Sequence, residues 1–97
     1  MTNLERLKKS INQHKGLLKE KYQVVSLNLF GSYLREEETP ESDIDLLVEF
    51  NKTIDLFRFI ALENFLSGIC GRKVDLVMKN SLKPRIKDSV LREAVQI

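Results

Sequence analysis

Cysteine, proline and glycine are all scarce in this chain, which has one Cys, two Pro and four Gly among 97 residues. A single cysteine, Cys70, forms no internal disulfide, so we expect a protein of the reducing cytoplasm. No segment rich in Pro, Gly or Ser divides the sequence, and its length suits one domain spanning residues 1–97. The apolar runs are only a few residues long, and the start of the chain lacks the apolar stretch of a secretory signal. The sequence therefore predicts no contact with a membrane.

The chain also has little net charge, because 16 Lys and Arg residues against 14 Asp and Glu residues leave only +2. That balance argues against a dedicated nucleic-acid-binding protein, in which a basic patch would dominate. A hydrophobic content of 42% with 31% charged residues excludes a disordered chain. The acidic residues are concentrated, since residues 31–50 contain seven of them and one base, Arg35. This segregation suggests a cation site in anion-attracting surroundings, although a solvated acidic loop has the same composition.

The spacing of the apolar residues predicts alternating helices and strands in the order αβαβαβα. The predicted elements are a helix over 4–18, a strand over 23–30, a short helical piece near 32–35, a strand over 43–50, a helix over 55–69, a strand over 73–78 and a helix from Pro84. In the helix over 55–69 the apolar residues make one broad face, formed by Leu56, Phe59, Ile60, Leu62, Phe65, Leu66 and Ile69. In the last helix we expect Ile86, Val90, Leu91 and Ala94 to face the core. Three strands with helices between them make a two-layer α/β or α+β domain.

Three aspartates stand where strand-forming residues are expected. Asp43 and Asp45 are two residues apart, so the pleat puts both on one face of their strand, and Asp75 lies in the middle of the next predicted strand. If these strands are neighbours, the three carboxylates converge, and like charges so placed need a strong counter-charge. Mg²⁺ suits oxygen ligands, and two such ions would clamp the oxygens of a displacement at phosphorus. The alternative is that Asp43 merely begins a strand while Asp75 lies on a solvated edge.

The Gly31-Ser32 pair ends the first predicted strand and begins a helical turn. Glycine permits close approach of the backbone, and free N–H groups at a helix start bind an anion such as phosphate. The Ser32 hydroxyl can donate to a phosphate oxygen. The alternative is an ordinary strand-to-helix turn with a serine cap.

The spacing Gly31-Ser32, ten residues, then Asp43-Ile44-Asp45 resembles the signature of the DNA polymerase beta-like nucleotidyltransferases. The longer stretch LFGSYLREEETPESDIDLLVEF is similar to the minimal nucleotidyltransferase (MNT) family, and the similarity continues through GRKVDLV and SLKPRIKDSVLREAV, over residues 24–95. This resemblance implies a palm-like fold with a small mixed β-sheet packed against helices.

The resemblance also implies an activity, which is Mg²⁺-dependent transfer of AMP from ATP. Asp43 and Asp45 would be metal ligands, and Asp75 would either ligate the catalytic metal or take the proton of the attacking hydroxyl. Gly31 and Ser32 would hold the triphosphate. Arg35 matches the family pattern and would either neutralise phosphate charge or pair with neighbouring glutamates.

The partner that the resemblance implies is a HEPN-domain ribonuclease toxin, which members of the family neutralise by adenylylating a tyrosine. The sequence departs from the family pattern at Leu34 and Glu36, which replace small residues. Glu36 adds negative charge near the proposed phosphate site. It therefore supports an alternative in which the chain is a catalytically weak or inactive module that masks the toxin by binding alone.

Overall fold

The computed structural model describes residues 3–31 and 43–97. Its elements in chain order are α1 (Asn3–Asn12), α2 (Lys15–Tyr22), β1 (Val24–Phe30), β2 (Ile44–Phe50), α3 (Leu56–Cys70), β3 (Val74–Met78), a 3₁₀ turn (Lys79–Ser81), α4 (Pro84–Glu93) and β4 (Val95–Gln96). The four strands form one sheet in the order β3-β2-β1-β4. The fold is α+β, as predicted, and no helix in the described part of the chain is long and apolar enough to cross a membrane.

The sheet is mixed because its connections differ in kind. β1 runs antiparallel to both β2 and β4, whereas β2 and β3 are parallel. Parallel neighbours require a crossover, and here α3 supplies it. One face of the sheet packs on the helices through side chains that are at most 8% exposed: Val24, Leu27, Leu29, Ile44, Leu46, Val48, Val74 and Leu76. The opposite face carries Asp45 and Asp75. Alternation along the strands therefore places the core residues on one face and these two carboxylates on the other.

α3 begins and ends where the sequence indicates. Asp55 caps its start, because the carboxylate Oδ1 accepts the Arg58 backbone N–H at 2.7 Å. Gly71, with φ of 67°, ends it in the left-handed conformation that favours glycine. The predicted helix over 55–69 is therefore confirmed.

The broad apolar face predicted for α3 is only partly buried. Leu62 and Leu66 are fully buried against the sheet, but Leu56 is 68% and Ile60 44% exposed. Successive residues of a helix are rotated by about 100°, which places Ile60 about 160° away from Leu62. A helix lying on one sheet face buries a single stripe, so apolar residues on its far side stay in solvent.

α4 differs from its prediction in the same way. None of its residues is buried, and Ile86, which was expected to face the core, is 50% exposed. Val90, Leu91 and Ala94 are only partly buried. Sequence periodicity identifies an apolar stripe correctly but does not show whether another element covers it.

Two features of the chain ends were not predicted. The single expected amino-terminal helix is two helices, because His14 leaves the helical conformation with φ of −113° and ψ of 16°. β4 was missed altogether; it pairs its two residues with Asn28 and Leu29, and the Ile97 N–H donates to the Leu27 carbonyl at 2.9 Å. A two-residue strand has no alternation to detect. The helical piece predicted near residues 32–35 lies outside the described residues.

Candidate functional site

Asp45 and Asp75 lie side by side on the two parallel strands. The register pairs Ile44 with Val74, Asp45 with Asp75 and Leu46 with Leu76. Because the flanking residues point into the core and are at most 4% exposed, the two aspartates point to the other face. Adjacent strands are about 4.8 Å apart, so these carboxylates are neighbours across the ladder. The expectation that the second and third strands are adjacent is confirmed.

Asp43 lies just before β2 and close to Lys73. Its Oδ2 is 3.9 Å from the Lys73 Nζ, and the two side chains are 42% and 76% exposed. The Ile44 N–H donates to the Lys73 carbonyl at 2.9 Å, which fixes the backbones of both strands at this end. An ion pair this long and exposed contributes little, so Lys73 competes weakly with any cation for the Asp43 carboxylate.

Gly31, from the glycine–serine part of the motif, lies next to Asp45 from the aspartate part. It follows Phe30, which is the β1 partner of Asp45, and its φ is 81°. A Cβ atom at this position would press into the Asp45 carboxylate, 3.1 Å from Cγ. The glycine is therefore required both by its backbone conformation and by the closeness of Asp45. Ser32 and Arg35, the other predicted phosphate-binding residues, lie outside the described residues.

The described carboxylates suit a metal ion that takes part of its coordination from a substrate. Over residues 3–31 and 43–97, no three His, Cys, Asp or Glu side chains are grouped closely enough to hold a metal ion by themselves. The expected convergence of all three aspartates is therefore wrong for this structure, in which Asp43 precedes β2 and lies beside Lys73. Mg²⁺ commonly uses one or two carboxylates together with substrate phosphates and water. The pairing of Asp45 with Asp75 on one sheet face, beside Gly31, fits that mode of binding.

Cys70 and His14 are poorly suited to catalysis. Burial raises the pKa of the Cys70 thiol to about 11, so the thiol stays protonated and is a poor nucleophile at neutral pH. His14 packs edge-on against Phe65, with ring centroids 5.5 Å apart, and its Nδ1 lies 2.9 Å from the Ser10 carbonyl oxygen. A groove of about 290 Å³ lies between α2, β1 and β4, away from Asp45 and Asp75.

Two polar residues of α3 contact β3 on either side of Asp75 and were not identified from the sequence. The Leu76 N–H donates to Glu63 Oε2 at 3.0 Å, and the Val74 N–H donates to Ser67 Oγ at 2.9 Å. A signal was available, because Glu63 and Ser67 are one turn apart on a helix that is otherwise mostly apolar.

The chain is similar over nearly its whole length to known nucleotidyltransferases. The family model for the nucleotidyltransferase domain matches residues 11–97. The protein adenylyltransferase MntA of Thermococcus cleftensis is 43% identical over 97 residues, which are 100% of this chain and 98% of that relative.

Solved structures share the fold. A structure provisionally described as a minimal nucleotidyltransferase has a TM-score of 0.76 at 33% identity, covering 94% of this chain and 95% of that one. A chain in a toxin–antitoxin crystal structure with AMP-PNP has a TM-score of 0.71 at 28% identity, covering 88% and 69%. A third comes from a complex of a tri-AMPylated Shewanella oneidensis HEPN toxin with an MNT antitoxin. Its TM-score is 0.65 at 25% identity, covering 93% and 70%.

Proposed function

Because the chain belongs to the nucleotidyltransferase domain family and is itself a nucleotidyltransferase, we propose that it transfers AMP from ATP to a tyrosine hydroxyl of a HEPN-domain toxin. By this modification it acts as the antitoxin of the pair, in the cytoplasm. The observation that carries the proposal is the register pairing of Asp45 with Asp75 on one sheet face beside Gly31. The nucleotide in one similar structure and the AMPylated toxin in another support the donor and the partner.

Each predicted site residue has a role in this proposal. Asp43 and Asp45 would hold Mg²⁺ against the triphosphate, and Asp75 would complete the site from the neighbouring strand. Gly31 would present its backbone to the triphosphate without displacing the Asp45 carboxylate, and Ser32 and Arg35 would bind phosphate oxygens. Bound Mg²⁺ would neutralise the charge of the triphosphate and polarise the α-phosphate.

The reaction is an in-line displacement at the α-phosphorus. The tyrosine oxygen forms a bond to phosphorus as the bond to pyrophosphate breaks, and Asp75 would accept the phenolic proton. The protein then supplies positioning and charge stabilisation and forms no covalent intermediate.

A protein acceptor fits the openness of this site. Asp43 is 42% exposed and Asp75 is also exposed, so the described part of the site is a surface on the sheet. A small-molecule acceptor normally binds in a concave pocket that buries most of its surface. A folded partner can instead cover the sheet face and bring its own hydroxyl to the nucleotide.

The proposal is tested by incubating the chain, its partner toxin and Mg²⁺ with ATP labelled at the α-phosphate. Asp45→Asn keeps the size of the side chain and removes the charge, so label transfer should fall by about a hundredfold or more. Asp88→Asn, an exposed change on α4, is the matched control and should transfer label at the wild-type rate. Mass spectrometry then identifies the modified residue. Wild-type activity in Asp45→Asn would refute the site assignment.

Glu36 favours a second candidate, an inactive module that neutralises the toxin by binding alone. Its added negative charge lies in the segment that would hold the triphosphate. If the wild-type chain forms a tight complex with the toxin but transfers no label, this second function is correct. Restored transfer in Glu36→Gly would identify Glu36 as its cause.

A further inference from the structure

The outer edge of β3 is covered by α3. Among the strands of residues 3–31 and 43–97, β3 is at one edge of the sheet and pairs with β2 alone. The Lys73 carbonyl faces β2, where it accepts the Ile44 N–H. Successive residues of a strand direct their backbone groups to opposite sides, so Asp75 faces β2 as well, whereas Val74 and Leu76 face outward. Their N–H groups would be left unpaired by the sheet itself.

Glu63 and Ser67 accept these two outward N–H groups. Glu63 Oε2 is 3.0 Å from the Leu76 nitrogen, and Ser67 Oγ is 2.9 Å from the Val74 nitrogen; both hydrogen bonds are partly buried. The Ser67 hydroxyl itself donates to the Glu63 carbonyl at 2.9 Å, which leaves its lone pairs directed at β3. Edge strands generally need such protection, but here it comes from two side chains spaced by one helical turn.

The two hydrogen bonds bracket Asp75. Val74 and Leu76 are its chain neighbours, and their side chains are 0% and 4% exposed in the core. Asp75 is exposed on the opposite face, so core packing does not hold its side chain directly. The position of its carboxylate next to Asp45 depends on the backbone of Val74 and Leu76. Their side chains are held in the core, and their N–H groups are held by side chains of α3.

We propose that Glu63 and Ser67 are positioning residues, which fix the backbone of β3 so that the Asp75 carboxylate stays beside Asp45. The proposal rests on the proposed function, in which that pair binds the metal. Glu63 acts as a hydrogen-bond acceptor, and its charge is secondary. Glutamine, whose amide oxygen also accepts, should therefore replace it, and alanine should not.

The experiment compares Glu63→Ala, Glu63→Gln and Ser67→Ala with Asn64→Ala, a control at an exposed position of the same helix. Mn²⁺ binding is measured by calorimetry. The Asp75 carboxyl shift and the exchange rates of the Val74 and Leu76 amides are measured by NMR. Glu63→Ala should weaken Mn²⁺ binding by about tenfold, move the Asp75 signal and speed exchange at Leu76. Ser67→Ala should do the same with its exchange effect at Val74, and Glu63→Gln and Asn64→Ala should remain within about twofold of wild type.

Two outcomes would overturn the proposal. One is wild-type Mn²⁺ affinity and an unmoved Asp75 signal in Glu63→Ala; the other is a loss in Glu63→Gln as large as in Glu63→Ala. If Glu63→Ala does not fold, Ser67→Ala decides on the same two readouts.

The Asp75 shift requires neither bound metal nor activity. A wild-type chain that transfers no AMP, but whose variants show the expected order of shifts, refutes the proposed function and leaves the positioning role intact. A wild-type chain that transfers AMP, with no shift in any variant, refutes the positioning role alone.

Discussion

Gly31 is constrained in two independent ways at the end of β1. Its φ of 81° is a conformation that residues with a side chain rarely adopt, and the Asp45 carboxylate occupies the space that a Cβ atom would need. The first constraint is local, and the second comes from a strand that begins more than ten residues later. Sequence alone indicates the first through the residue type, but only the pairing of β1 with β2 reveals the second.

Gly31→Ala should therefore affect both stability and activity. The strained backbone is expected to cost about 1 kcal/mol of unfolding free energy, and displacement of Asp45 should lower label transfer well beyond what the lost stability explains. Gly68→Ala is the control, because a Cβ atom there meets nothing within 4 Å and alanine favours a helix. Urea unfolding and the labelled-ATP assay measure both effects. Full activity in Gly31→Ala would contradict the contact with Asp45.

At the scale of elements, the strands that carry the aspartates were predictable and the exposed helix faces were not. The alternation of apolar residues predicts β2 and β3. Asp45 and Asp75 are conspicuous within them because aspartate is disfavoured in strands, and these two residues mark the candidate site. Whether Leu56 or Ile86 is covered depends on which elements pack there. Local spacing contains no information on that. β4 was missed for another reason, because a strand of two residues shows no alternation, and the apolar spacing does not mark the break at His14.

The start of α3 provides a test at this scale. Asp55 accepts the Arg58 N–H at 2.7 Å, and its replacement by alanine leaves that first-turn N–H to solvent. We expect Asp55→Ala to lower the free energy of unfolding by about 1 kcal/mol, and Asp55→Asn, which still caps, to change it by a few tenths. Asp88→Ala on the exposed side of α4 controls for the loss of one negative charge. Equal thermal stability of the alanine and asparagine variants at Asp55 would show that the cap contributes nothing.

At the scale of the whole molecule, one continuous segment supplies much of the site. β2, α3 and β3 form the crossover from Ile44 to Met78, which contains Asp45, Asp75 and the Glu63 and Ser67 side chains that contact β3. β1 adds Gly31 from the other side of β2. Parallel strands cannot pair through a tight turn, so the crossover through α3 is what allows Asp45 and Asp75 to lie side by side.

The pairing of Asp45 with Asp75 predicts that the melting temperature depends on divalent ions. Asp45 and Asp75 are next to each other only in the folded chain. A divalent ion that binds both would therefore stabilise the native state relative to the unfolded state. Without divalent ions, Asp75→Asn should melt a few degrees above wild type because it removes a like-charge repulsion. With Mg²⁺ added, the melting temperature of the wild type should rise by several degrees and that of Asp75→Asn by much less. Calorimetric melting curves recorded with EDTA and with Mg²⁺ measure both, and identical responses would exclude a shared ion.

In the proposed function, the cation that Asp45 and Asp75 share would therefore serve stability as well as catalysis. By the same proposal, magnesium starvation would lower the chain's resistance to unfolding together with its rate of nucleotidyl transfer.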